Sequence, residues 1–78
     1  MNSPRQRLER CFFVVFPKLD RSAVSQATVD TVERWDSLAS IRLGTVIEEE
    51  FGVPVDAVDL VDLRSFADFE RFLTQHGQ

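Results

Sequence analysis

Apolar residues return at helical steps in three stretches of the chain. Leu8, Cys11, Phe12, Val15 and Phe16 fall on one helical face. Leu38, Ile41, Leu43, Val46, Ile47 and Phe51 recur three and four residues apart, and Phe66, Phe69, Phe72 and Leu73 form a third set. The punctuation agrees with the periodicity. Ser3-Pro4 suits an N-cap and first helical residue, with Gln6 at the capping-box position, and Pro17 stops that helix. Asp36 caps the second helix, which the spacing predicts from Ser37 to about Phe51. Gly52 serves as its C-terminal cap and Pro54 forbids continuation. Ser65 caps the last, with Asp68 at its box position. Between these two, Val55, Val58 and Val61 share one side of one or two loose helical turns. Phe12 to Phe16 is rich enough in β-formers to read as a buried strand. The polar, helix-favouring run before it, and the lack of a second segment to pair with, decide for helix. The pattern is all-α: three main helices and a short third element.

Lys18 to Trp35 is a long connection rich in Ser, Thr and Asp, with Leu19, Val24, Val29 and Val32 spaced to pin it to the core. Connections of this length without regular structure are uncommon and often functional. Trp35 reads as a half-buried aromatic that closes the loop. The second helix has two apolar edges. Leu43, Ile47 and Phe51 make a core stripe with Val46 beside it, while Leu38, Ile41 and Thr45 form a second row next to Arg42, Glu48 and Glu49. Gly44, mid-helix, costs about 0.5–1 kcal/mol relative to Ala, which points to close approach of another segment or to room for a bound chain.

Composition narrows the classes. The chain of 78 residues has room for one core, so residues 1–78 read as a single domain with a fraying tail over 75–78. A lone cysteine excludes an intramolecular disulfide framework, and Cys11 reads as a small buried hydrophobe. No metal-ligand spacing is present; Asp56, Asp59 and Asp62 lack the spacing and terminal Glu of a calcium loop. No apolar run is long enough to span a bilayer, which leaves a soluble, cytoplasmic monomer as the default.

Charge is uneven. Through Arg34 there are six basic and four acidic residues; from Trp35 onward there are three basic and nine acidic. An acidic second half argues against nucleic-acid binding, which needs clustered Lys and Arg, and suits docking on basic patches of partners. Glu48, Glu49 and Glu50, near the negative end of the helix dipole, cost stability unless something else selects them.

The Asp36-Ser37-Leu38 step offers the candidate chemistry. Asp36 caps the helix, Ser37 falls on its first turn, and a helix N-terminus welcomes an anion such as a phosphate. With Ile47-Glu48-Glu49-Glu50-Phe51-Gly52 following at a fixed distance, the chain resembles the acyl carrier protein family from roughly Leu8 to Leu73. Trp35 in front of the motif resembles a Trp-Asp-Ser-Leu subgroup of free-standing carriers. Many members have Gly-x-Asp-Ser-Leu, or two glycines before the serine in peptide-synthetase carriers, where this chain has Arg34-Trp35.

The resemblance implies an acyl-carrier-like bundle of up-down-down topology, with the long loop between helices one and two delivering the serine. It implies 4′-phosphopantetheine on Ser37, flanked by Asp36 and Leu38. A phosphopantetheinyl transferase would install it from coenzyme A, and its thiol would hold an acyl or aminoacyl group as a thioester. Leu38, Ile41, Arg42, Thr45, Glu48 and Glu49 would then meet partner enzymes, acyl-activating or acyl-transfer enzymes with basic docking patches. The cargo, whether for fatty acid, polyketide, lipid modification or amino-acid activation, is not written in the residues. Ser37 lacks the surroundings of a catalytic nucleophile: there is no Gly-x-Ser-x-Gly elbow, and His76, the one histidine, lies in the tail. The chain therefore reads as a substrate of enzymes. The competing reading is a small helical protein–protein adaptor in which Ser37 only caps a helix.

Overall fold

The computed structural model describes residues 3–78, so Met1 and Asn2 of the expected domain lie outside the described residues. Four helices follow in order: α1 (Pro4–Val15), α2 (Ser37–Phe51), α3 (Ala57–Asp62) and α4 (Phe66–Gln75). Among the described residues there is no strand, and the all-α bundle with a short third helix stands.

The helix ends follow from local chemistry. At α1, Ser3 Oγ accepts from the Gln6 amide at 3.2 Å while Gln6 Oε1 accepts from the Ser3 amide at 3.0 Å, a reciprocal capping box. At α2, Asp36 Oδ1 accepts from the Ala39 amide at 2.9 Å. Gly52 ends the helix at φ 68°, the left-handed conformation that glycine adopts without a Cβ clash. At α4, Ser65 Oγ accepts from the Asp68 amide at 3.0 Å, but Asp68 Oδ2 reaches past the cap to the Arg64 amide at 3.0 Å. Gly77, at φ 82°, and Gln78 close α4 with a Schellman arrangement, the Gln78 amide donating to Leu73 O at 3.0 Å.

Side-chain contacts fix the directions. Near its start α1 meets the end of α2, where Arg7 Nε donates to Glu50 Oε2 at 2.6 Å. At its other end, Phe16 packs on Trp35, just before α2, at 5.7 Å between ring centroids. The two helices are therefore antiparallel. Arg5 near the start of α1 pairs with Glu70 of α4 at 3.5 Å, while Phe12 meets Phe66 and Phe69 at 5.2 and 5.8 Å.

Phe12, Phe66 and Phe69 are fully buried, each contributing about 1.5–3 kcal/mol by removal from water. Leu8, Leu43 and Ile47 are buried in the same core. Phe72 and Val15 sit at the edge of this core, partly buried. Burial holds the Cys11 thiol well above its ordinary value, at about 11, with the nearby Glu50 charge adding to the shift.

The connection from α1 to α2 is more ordered than the sequence suggests. It contains a single 3₁₀ turn, Val24–Gln26, whose Val24 is 1% exposed. Beyond it, the Val29 amide donates to Arg64 O at 2.9 Å and the Phe66 amide to Ala27 O at 2.9 Å. This short antiparallel pairing ties the loop to the entry of α4. Leu19, Val29 and Val32 then pin the rest of the loop as partly buried contacts.

In α3 the expected apolar side is corrected. Val55 is buried, but Val58 and Val61 are 80% and 70% exposed, and Leu60 faces the bundle instead. The register explains it. Val55 precedes the helix, so within α3 the residues at i and i+3, Val58 and Val61, share the outer face while Leu60 and Leu63 turn inward. Leu60 packs on Gly44: a Cβ placed there would meet Leu60 Cδ2 at 3.3 Å and Val55 Cγ1 at 3.5 Å. Of the two explanations for that glycine, close approach is the one found.

Candidate functional site

The site begins with Trp35. Its indole is 6% exposed, deeper than the half-buried position expected, and stands edge-on to Phe12 at 5.5 Å and 81°. Such aromatic contacts add about 0.5–1.5 kcal/mol beyond burial. Its Nε1–H, which would otherwise be an unpaired donor, donates to Ser40 Oγ at 2.9 Å. The indole thus clamps the start of α2 from one turn ahead and fixes the path of Asp36 and Ser37 between two anchored points.

Ser37 is the first residue of α2 and is exposed. Its hydroxyl has no hydrogen-bond partner among the described residues. Asp36 supplies the cap by binding the Ala39 amide, and the amides of Ser37 and Leu38 remain without an acceptor there. A free hydroxyl therefore sits beside two free donors at the positive end of a helix, where a phosphodiester finds both hydrogen bonds and a favourable field.

Ser37 also lines a cavity of about 540 Å³ between α2, α3 and the loop. Asp36, Ser40 and Ile41 line it from α2 and its cap, Ala57, Leu60 and Val61 from α3, and Trp35, Leu63, Val29 and Arg64 complete the wall. Its composition is mainly apolar with a few polar groups, the usual character of a small-ligand site.

The other residues singled out from sequence divide into groups. Leu38 and Ile41 are 59% and 56% exposed, and Ile41 alone of the two reaches the cavity. Arg42 and Thr45 are exposed beside them, Thr45 Oγ1 donating to Ile41 O at 3.1 Å. Glu49 is exposed, with no ion pair among the described residues. Glu48 differs. It is half-buried, and its Oε1 accepts from the Val55 amide at 2.6 Å, tying the loop after α2 back onto the helix. Glu50 pairs with Arg7, whose Nη2 also donates to Glu50 O at 2.6 Å. Two of the three acids that looked merely unfavourable for the helix dipole thus have structural partners.

Sequence reasoning missed Arg64, Val61 and the Trp35–Ser40 hydrogen bond. The first two reach the cavity only because α3 folds across α2, and no local pattern marks that. The third carries a signal, an aromatic donor five residues before a serine across a helix start.

The model of the family described as phosphopantetheine attachment site matches residues 35–73, half of the chain. Among curated proteins and among solved structures, no significant match to the chain is found. The matched span runs from Trp35 through the free hydroxyl and the cavity to Leu73 in α4, and on that match the chain belongs to the phosphopantetheine attachment family, the acyl-carrier-like domains to which 4′-phosphopantetheine is covalently attached.

Proposed function

We propose that this chain is a carrier whose 4′-phosphopantetheine is borne on Ser37 Oγ, and that the protein presents an acyl or aminoacyl group to enzymes that act on it in turn. When bound, the arm supplies a terminal thiol able to hold such a group as a thioester. The chain's own residues hold and orient. Trp35 and Ser40 fix the start of α2, and the Ser37 and Leu38 amides, without acceptors among the described residues, would be donors for the phosphate. A tether of this kind raises the effective concentration of cargo at each docked enzyme. Transferases that install the arm and enzymes that handle acyl groups are the partners of carrier domains generally; the exposed row of Leu38, Ile41, Arg42 and Thr45, with Glu49, is the face we assign to them. No helix among the described residues is long and apolar enough to cross a membrane.

The observation that carries the assignment is the contrast between the two serines on the cavity wall. Ser40 Oγ is occupied by the Trp35 indole, whereas Ser37 Oγ is exposed and without a partner among the described residues. The adaptor reading needs Ser37 as a cap, and Asp36 already fills that role. Incubation with coenzyme A, magnesium and a broad-specificity phosphopantetheinyl transferase is expected to add the mass of one phosphopantetheinyl unit to the wild type and to Ser40→Ala, and nothing to a folded Ser37→Ala. Uptake by Ser37→Ala, or none by the wild type with several transferases, overturns the assignment.

A further inference from the structure

A phosphate joined to Ser37 is one bond from the serine oxygen, at the wall of a cavity that a cationic side chain also lines. Arg64 is the one cation on that wall. Its backbone is fixed on both sides, the amide donating to Asp68 Oδ2 at 3.0 Å and the carbonyl accepting from the Val29 amide at 2.9 Å. Leu63 before it is buried and Ser65 after it caps α4. The base of the side chain is thus rigidly placed at the cavity edge.

The guanidinium itself has no hydrogen bond or ion pair among the described residues. Arg10, Arg21, Arg34 and Arg42 are likewise without an ion pair among the described residues, but none of them lines this cavity, and the remaining three arginines are engaged. Arg5 pairs with Glu70, Arg7 with Glu50 and Arg71 with Asp68. Asp68 accepts from Arg71 and from the Arg64 amide, Asp36 caps α2, and the exposed Asp62, two residues before Arg64, makes no ion pair with it. Arginine presents a planar fork that matches two phosphate oxygens at once, which a lysine does not.

We propose that Arg64 is the seat of the phosphodiester: its guanidinium reaches across the cavity mouth to the phosphate on Ser37 and holds the root of the arm, while the distal end swings free. The proposal rests on the assignment of Ser37 as the attachment residue. It concerns positioning in the loaded protein and needs no contact with a partner enzyme.

The experiment uses the full chain, loaded with the transferase and checked by intact mass, so failure to load is read separately as failure of the Ser37 assignment and takes the seat with it. On loaded protein three readouts apply. The Arg64 Nε–H resonance is expected to move on loading while that of Arg42 stays. The ³¹P shift of the phosphodiester is expected to differ between wild type and Arg64→Gln, with Arg64→Lys between them. At low salt, loading is expected to raise the Tm of the wild type by about 2–4 °C more than that of Arg64→Gln, a difference that salt removes. Arg64→Gln keeps both backbone hydrogen bonds, and Arg64→Lys keeps the charge as well, so folding is preserved. Identical ³¹P shifts and identical loading effects on Tm in wild type and Arg64→Gln would overturn the proposal.

Discussion

Glu48 Oε1 accepts from the Val55 amide at 2.6 Å, so the first acid of an exposed-looking run serves as a strap between α2 and the segment leading into α3. Val55 Cγ1 packs over Gly44, one turn earlier on the same side of α2. The carboxylate and the glycine therefore act on one object, the approach of α3 to α2, and the three glutamates cannot be treated alike.

Charge reversal separates them. Glu48→Lys loses the acceptor and leaves the half-buried Val55 amide unpaired, and is expected to cost about 1–3 kcal/mol in urea melts. Glu48→Gln keeps an acceptor and is expected to lose less than half of that. Glu49→Lys, with no partner among the described residues, is expected to leave stability within about 0.5 kcal/mol of wild type. It should nonetheless slow association with a cognate transferase about threefold, an effect that fades as salt rises. Surface plasmon resonance at two salt concentrations measures this. Unchanged association for Glu49→Lys at low salt would move the docking face elsewhere.

Cys11 supplies a test linked to pH. Its thiol ionises at 9.0 in an open chain and, because of burial with the Glu50 charge adding to it, at about 11 in the fold. The native state therefore holds a proton that the unfolded state releases between these values. Stability from this group is fully present below pH 9.0 and is lost as pH rises towards 11. Cys11→Ala is expected to show a shallower alkaline decline over that window. The same shift lowers the thiolate fraction by about 100-fold at pH 8, before burial further restricts access. A thiol reagent should thus label the unloaded native protein slowly and the urea-unfolded protein fast. Loading with the arm should introduce one fast thiol into the native protein. Rapid native labelling of the unloaded chain would show that Cys11 is accessible.

What the sequence made legible was whatever local chemistry encodes. Asp36 and Gly52 bracket α2 because a side-chain acceptor and a left-handed glycine are short-range instructions, and Leu43, Ile47 and Phe51 repeat often enough to fix its inward face. The six residues of α3 are too few for periodicity to choose a face, so the sequence groups Val58 and Val61 with Val55, which lies before the helix and is buried while they are exposed. Trp35 was read as half-buried because its depth depends on Phe12, Phe16 and Phe69, brought to it by other helices. Arg64 was silent for the same reason. It joins Ser37 through a loop pairing, Val29 to Arg64, between residues far apart in the chain.

The seam between Gly44 and Leu60 gives the last prediction. Alanine at position 44 gains about 0.5–1 kcal/mol as a helix former, but its Cβ would stand 3.3 Å from Leu60 Cδ2, so that side chain must give by a few tenths of an ångström. The obstacle is the end of a side chain on a six-residue helix and not backbone, so the two effects are expected to offset. Gly44→Ala should remain within about 0.5 kcal/mol of wild type in urea melts, less stable than helix propensity alone requires. Gly44→Val, with two further methyl groups, must displace α3 and is expected to cost about 1–3 kcal/mol. The double-mutant cycle isolates the cause. In a Leu60→Ala background the obstacle is gone, and Gly44→Ala should stabilise by the full amount, giving a coupling of about 0.5 kcal/mol or more. Additive effects of the two substitutions would mean that Leu60 does not bear on Gly44, and that the glycine is there for some reason other than the approach of α3.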